Sequence, residues 1–261
     1  MGADYVDVER ARSLPGLRLV LTTGVPGPWG EAAKGMFHAK GVSFARVAQA
    51  AGQPNDALFD WTGHRNAPVA VYGDERPRTT WSEILWLAER LGKEPSLVPT
   101  DDEDRVACFG IAQELMGENG FGWCRRLMLL SLSLGEASEP SEEMKPVLGR
   151  MVAQYGYSWE AAQAAPARLA SILGVLSRRL AAQRAAGRRY LVGDALSVAD
   201  LCWAAMAGIV APLPEDVCPM PAALHAMYGR TDPVVDAALD PALLEHRDFV
   251  YRTHMEYPLA L

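Results

Sequence analysis

The stretch TTGVPGPWG, Thr22 to Gly30, closes an apolar run, Leu17 to Leu21, and opens a segment with helical spacing. It carries two hydroxyls, Thr22 and Thr23, and no cysteine. A turn of this make-up at a helix head offers donors suited to an anion. A second helix head stands at Thr80, with Glu83 three residues on, the spacing of a capping box. Cys108, Cys124, Cys202 and Cys218 are scattered without CxxC spacing, so neither a disulfide framework nor a zinc knuckle is indicated, and no metal is expected.

These groups need a frame. Leu17 to Leu21 is expected as a buried strand, and Ala32, Ala33, Met36 and Phe37 recur at helical spacing until Gly41 stops the helix. VSFARVA, 42–48, reads as a second strand, and APVAVYGDERPRTTW as two strands joined in a hairpin at Gly73-Asp74. Thr80 then opens a helix whose stripe is Ile84, Leu87, Ala88 and Leu91. The segment 92–104, rich in proline and charge, reads as a connector. Beyond it the chain is almost entirely helical: one long helix over 106–134, another carrying Leu169, Ile172, Leu173, Leu176 and Leu180, and shorter ones over 198–210, 222–227 and 241–254.

With 261 residues, 49% of them hydrophobic, the chain can bury one or two ordinary cores, and no apolar run is long enough to span a bilayer. The opening residues contain neither a basic segment followed by an apolar one nor the Ser or Thr of a myristoylation signal, so a reduced cytoplasm and no membrane partner are expected. A formal charge of −7 argues against nucleic acid as a partner, and the basic run Ser177 to Arg189 is expected as a solvated helix face.

One phrase in the helical part is more specific. YLVGDALSVADL, Tyr190 to Leu201, sets Ser197 and Asp200 at capping-box spacing behind a Gly-Asp turn, with Leu196 and Leu201 placed as a hydrophobic staple. It resembles the G-D-x-[ST]-x-A-D signature of the glutathione transferase superfamily. The resemblance covers nearly the whole chain from Leu17 and implies an α/β thioredoxin-like first domain, 15–93, a linker, 94–103, and an all-α second domain, 104–261.

The resemblance also implies a glutathione site. In RNAPVAVY, 65–72, Pro68 would follow a cis peptide and Ala67 would pair its backbone with the cysteinyl unit, with Arg65, His64 or Asn66 near the glycine carboxylate. Thr79 and Thr80 fall where similar transferases grip the γ-glutamyl end. Thr80 suits the carboxylate; Thr79 cannot match an acid's hold on the ammonium. The family's catalytic Ser or Cys would stand at Gly27, which has no side chain, leaving Thr22, Thr23 or an amide between Gly27 and Trp29 to hold the thiolate. The same turn also reads as a rigid spacer, with Trp29 a core anchor.

Phe121, Trp123, Cys124 and Arg126 are candidates to line the electrophile pocket, or simply core, and the tail residues Tyr251, Arg252, His254 and Tyr257 either cover the site or pack on the surface. The implied activity is a glutathione-dependent transferase or lyase adding the thiolate to a small apolar electrophile, with glutathione as co-substrate and a homodimer as the assembly. The alternative is a noncatalytic binding or scaffold protein of the same family. Gly27 and Thr79 favour that alternative.

Overall fold

The structure is a computed structural model and describes residues 4–135, 141–142 and 144–261. Residues 1–3, part of the stretch read for a targeting signal, lie outside these. In chain order the elements are β1 (Tyr5–Val6), α1 (Val8–Ser13), β2 (Leu17–Thr22), α2 (Pro28–Ala39), β3 (Ala45–Gln49), α3 (Asp56–Thr62), β4 (Val69–Tyr72) and α4 (Trp81–Leu91). The helical part follows with α5 (Asp102–Met116), α6 (Phe121–Gly135), α7 (Met144–Tyr155), α8 (Trp159–Ala185), α9 (Val198–Ala207), α10 (Ala222–Gly229), α11 (Pro233–Ala238) and α12 (Pro241–His254).

The sheet runs β1-β3-β2-β4, with β2 parallel to β3 (Arg18 opposite Ala45, Thr22 opposite Gln49) and antiparallel to β4 (Val20 opposite Val69). Strand β1, ahead of residue 15, pairs parallel with β3 through Tyr5 and Arg46. The alternation of β2 serves two faces. Leu17, Leu19 and Leu21 join Ala33, Met36 and Phe37 of α2 and Ile84, Leu85 and Ala88 of α4, while Val20 packs with Val47, Leu58, Val69 and Val71. The first of these clusters continues into the helical part without a break.

Two expectations are corrected. The hairpin after Gly73-Asp74 returns only as an isolated bridge between Ala70 and Arg78. Pro77 has no amide for a ladder, and the chain turns into the Thr80 cap two residues after Arg78. The helix expected over 106–134 is two helices, α5 and α6, separated at Gly117 to Gly120, where Asn119 takes a positive φ of 58°. At Gly120 a Cβ would come within 2.5 Å of the Glu114 carbonyl, so the corner needs glycine there.

Helix α9 is buried along its whole length. The Asp200 carboxylate takes the backbone N–H and hydroxyl of Ser197 (2.9 and 2.8 Å), the Leu191 amide (2.8 Å) and His246 Nε2 (2.8 Å). The GDALSVAD phrase thus organises a buried hub as well as a helix end. Among the described residues no helix is long and apolar enough to cross a membrane.

Candidate functional site at the head of the second helix

Helix α2 begins with Pro28, which has no N–H, behind Gly27, which supplies no capping side chain. The amides of Trp29 and Gly30 in that first turn are therefore left without a side-chain cap. They border a cavity of about 240 Å³ whose near wall includes Thr22, Gly27, Trp29, Gly30, Gln49, Asn66 and Ala67. A Cβ added at Gly27 meets nothing nearer than Thr22 Oγ1, at 3.8 Å.

Thr22 and Thr23 part company here. Thr22 lines the cavity and donates its hydroxyl proton to Gln49 Oε1 at 2.8 Å. Gln49, 3% exposed, is itself held by donating to the carbonyls of Ala50 and Arg65. Thr23 is not in the cavity wall, and its Oγ1 stands 3.5 Å from the Gln49 carbonyl. Trp29 lines the cavity and donates its indole N–H to the Met116 carbonyl at 2.8 Å, tying α2 to α5.

The Ala67-Pro68 peptide is cis, and Asn66 and Ala67 lie in the cavity wall. Arg65 is committed elsewhere: its guanidinium binds Asp56 and the Pro54 carbonyl and covers the Phe59 ring. His64 is exposed and outside the cavity wall. Thr79 and Pro68 border a small adjoining void of about 30 Å³ beside Trp29.

Thr80 caps α4 as its spacing predicts. Its Oγ1 accepts from the Glu83 amide, and Glu83 Oε2 accepts in return from the amides of Thr79 (3.1 Å) and Thr80 (3.3 Å). Burial works to raise the Glu83 carboxyl, but those amides and Arg76 outweigh it and hold its pKa down to about 2. A carboxylate of the protein itself therefore occupies this helix head.

The far wall belongs to the helical domain: Arg126 of α6, Met151, Gln154 and Tyr155 of α7, and Leu224, Met227 and Tyr228 of α10. Of the four α6 candidates only Arg126 is in it. Phe121 is fully buried, edge-on to Trp203, and Cys124 is 2% exposed with its thiol pushed up by burial. Trp123 backs the wall by meeting the Tyr155 ring edge-on at 5.0 Å. Residues 121 and 124, three apart, share the core face of the helix, whereas 126 is turned away from it. Arg126 donates to the Tyr228 hydroxyl at 3.3 Å; burial would lower its pKa, but Tyr228 and Tyr155 outweigh that and raise it.

The remaining thiols are also buried, with Cys218 raised to about 12 mainly by burial. Tyr251, Arg252, His254 and Tyr257 are absent from the cavity wall. Tyr251 is core, and His254 Nε2 meets the Tyr190 hydroxyl at 3.1 Å. Gln49, Tyr155 and Tyr228 carry no local motif in the sequence, and folding alone brings them to one cavity.

No protein-family model and no curated protein matches the sequence. Solved structures do match in shape. A glutathione S-transferase domain-containing protein from Marinobacter aquaeolei is 15% identical, with 90% of this chain and 98% of that one covered at a TM-score of 0.61. A glutathione S-transferase from Methylobacterium radiotolerans, solved with glutathione sulfonate, is 17% identical, covering 85% and 94% at 0.55. The β-etherase LigF from Sphingobium is 19% identical, covering 90% and 99% at 0.56. With a thioredoxin-like sheet domain followed by a helical domain, the chain has the glutathione S-transferase fold.

Proposed function

We propose that this protein is a glutathione-dependent transferase or lyase that adds the glutathione thiolate to a small electrophile in the cavity at the head of α2. The observation that carries the reading is the gathering of Asn66, Ala67, Thr22, Gly27 and the Trp29–Gly30 turn around one cavity. The tripeptide backbone pairs with Ala67, and its sulfur points to the uncapped amides of α2. These supply hydrogen bonds and the positive end of the helix dipole, which together lower a thiol pKa. Thr22 contributes by trading its Gln49 partner for the sulfur. The γ-glutamyl end reaches the hydroxyls of Thr79 and Thr80, and its ammonium reaches the Glu83 carboxylate, a charge that Glu83 shares with Arg76 and the Thr79 and Thr80 amides. Asn66 takes the glycine end. The unit that holds glutathione is 15–93 with β1 added, joined through 94–103 to the helical domain, 104–261.

Homodimerisation belongs to the same reading. Trp86 of α4 and Val106 of α5 are 45% and 74% exposed, and with Arg105 over the rings of Trp86 and Phe109 they give a face of mixed apolar and cationic character for a second copy.

A second reading, a noncatalytic binding protein, is favoured by one pair of facts: Gly27 has no hydroxyl, and the Thr22 proton is already engaged by Gln49. Calorimetry with glutathione, the ultraviolet thiolate band of the complex and conjugation of 1-chloro-2,4-dinitrobenzene separate the two. The proposal expects binding, a thiolate band and turnover. Binding with neither band nor turnover across a panel of electrophiles selects the second reading as a binding protein, and no binding overturns the enzyme and leaves the scaffold form of the second.

A further inference from the structure

We propose that the far wall of this cavity recognises a carboxylate on the second substrate, with Arg126 as its partner; the assignment rests on the glutathione reading above.

The neighbouring arginine shows what a structural guanidinium looks like in this fold. Arg125, fully buried, donates Nε to the Ile209 carbonyl and Nη2 to the carbonyls of Tyr228 and Arg230, with Nη1 alone left without a partner. Arg126 has no such set. It lines the cavity, its Nε is shielded from solvent without a hydrogen-bond partner, and its other hydrogen bonds go only to tyrosine hydroxyls, those of Tyr155 and of Tyr228, whose ring it also faces at 5.7 Å. Among the described residues no carboxylate forms an ion pair with it. A shielded cation without a counterion is costly to a fold, and a ligand that brings the missing charge recovers that cost.

Among the described residues the cavity wall holds one other charged side chain, Glu31, and that charge is already matched: Lys34 Nζ lies 3.0 Å from it and 3.3 Å from Glu256. Arg126 is therefore the uncompensated charge of the wall. Tyr155 and Tyr228 flank it with hydroxyls able to donate to an anion, and Met151, Leu224 and Met227 supply apolar surface beside them. An arginine fork matches a carboxylate bidentately, so the fitting ligand is an apolar, aromatic-sized body ending in a carboxylate, in place of a wholly apolar electrophile. Glutathione also carries carboxylates, but Arg126 belongs to α6 of the helical part, whereas Asn66 and Ala67 belong to the loop that leads into β4.

The test compares S-benzylglutathione with S-(4-carboxybenzyl)glutathione by calorimetry on the wild type, Arg126→Gln and Arg126→Lys. The wild type is expected to prefer the carboxylate by about tenfold or more. Arg126→Gln should erase that preference with glutathione affinity held within about twofold, and Arg126→Lys, which keeps the charge, should retain part of it. Equal affinities in the wild type, or a preference that survives Arg126→Gln, overturn the proposal. So does an equal loss for glutathione itself, which would place a glutathione carboxylate on Arg126.

If neither conjugate nor glutathione binds the wild type, the glutathione reading falls by itself. 4-Phenylbutanoate against 4-phenylbutanamide, followed by tryptophan fluorescence, then decides this one. An Arg126-dependent preference for the acid supports the carboxylate site, and no preference overturns it. Circular dichroism and the denaturation midpoint establish that each variant is folded.

Discussion

Asp200 Oδ1 and His246 Nε2 stand 2.8 Å apart, the carboxylate wholly buried and the imidazole 2% exposed, so that the start of α9 is fastened to the middle of α12. The other acceptor sites of the carboxylate hold Ser197 and Leu191. Asp200→Ala strands several buried donors at once and is expected to destabilise the fold by roughly 3 kcal/mol or more. Ser197→Ala removes one donor and a cap, about 0.5–2 kcal/mol. Urea denaturation midpoints measure both, and an unchanged midpoint for Asp200→Ala would contradict the hub.

Gly27→Ser should raise the conjugation rate. The backbone there is extended with φ −63°, and the space around the added carbon is open to 3.8 Å, so the hydroxyl fits beside the proposed sulfur. A new donor to a thiolate lowers the thiol pKa and improves kcat/KM by about tenfold. Thr22→Val is expected to raise the bound-thiol pKa with little change in glutathione affinity, and Thr23→Val, outside the cavity wall, to leave both unchanged. The pH dependence of kcat/KM and of the thiolate band checks all three.

Acid should loosen the first turn of α4. The Glu83 pKa is depressed in the folded protein to about 2, so its contribution to stability is full above the ordinary carboxylate pKa of about 4.5 and is lost as pH falls from there towards 2. Glu83→Gln should flatten the stability profile across that window and weaken glutathione binding at neutral pH. A profile identical to wild type would show that the carboxylate gains nothing from the Thr79 and Thr80 amides.

Gly122→Ala tests the contact between the domains. A Cβ there would lie 2.7 Å from Met206 Sδ and 2.9 Å from Trp29 Cζ2, too close for either, and overpacking of this kind costs about 1–3 kcal/mol. Because Trp29 also lines the cavity, glutathione affinity should fall together with the thermal midpoint. Loss of stability with full affinity would separate Trp29 from the site.

Light scattering at micromolar concentration should give the mass of two chains, and Trp86→Glu, which removes the exposed indole and buries a carboxylate in the contact, should shift it to one. A wild-type monomer would reject the dimer.

Local chemistry was enough to read some of this. The Leu17 to Leu21 strand, the helix closed at Gly41, the Thr80 and Ser197 caps and the strand opened by Pro68 each declare themselves within a few residues, because capping and alternation act over one turn or one pleat. Strand β1 was not legible: two residues carry no alternation, and only pairing with β3 makes them a strand. The α5–α6 corner was written in GENG yet hidden by the apolar residues on both sides of it. Half the cavity was out of reach for another reason. Arg126, Tyr155 and Tyr228 belong to three helices spread over about a hundred residues, and which face of α6 meets the cleft is decided by packing against Trp203 and Asn119 rather than by any motif.

Residues 256–261 reach back to α2 and neutralise it from outside: Glu256 holds both Lys34 and Arg46, the Ala260 carbonyl accepts from Lys34 at 2.9 Å, and Leu259 is pinned to the Val217 carbonyl. The helix that presents the candidate site is thus a shared part, its Lys34 only 3% exposed and satisfied largely by the far end of the chain. Dissection follows a different rule here from the one the two-layer architecture suggests. A fragment cut at the connector would keep the Glu31–Lys34 pair of α2 but strip Lys34 of Glu256 and of the Ala260 carbonyl, and a fusion that pulls residue 256 away would disturb the glutathione side before it disturbed the helices it was attached to.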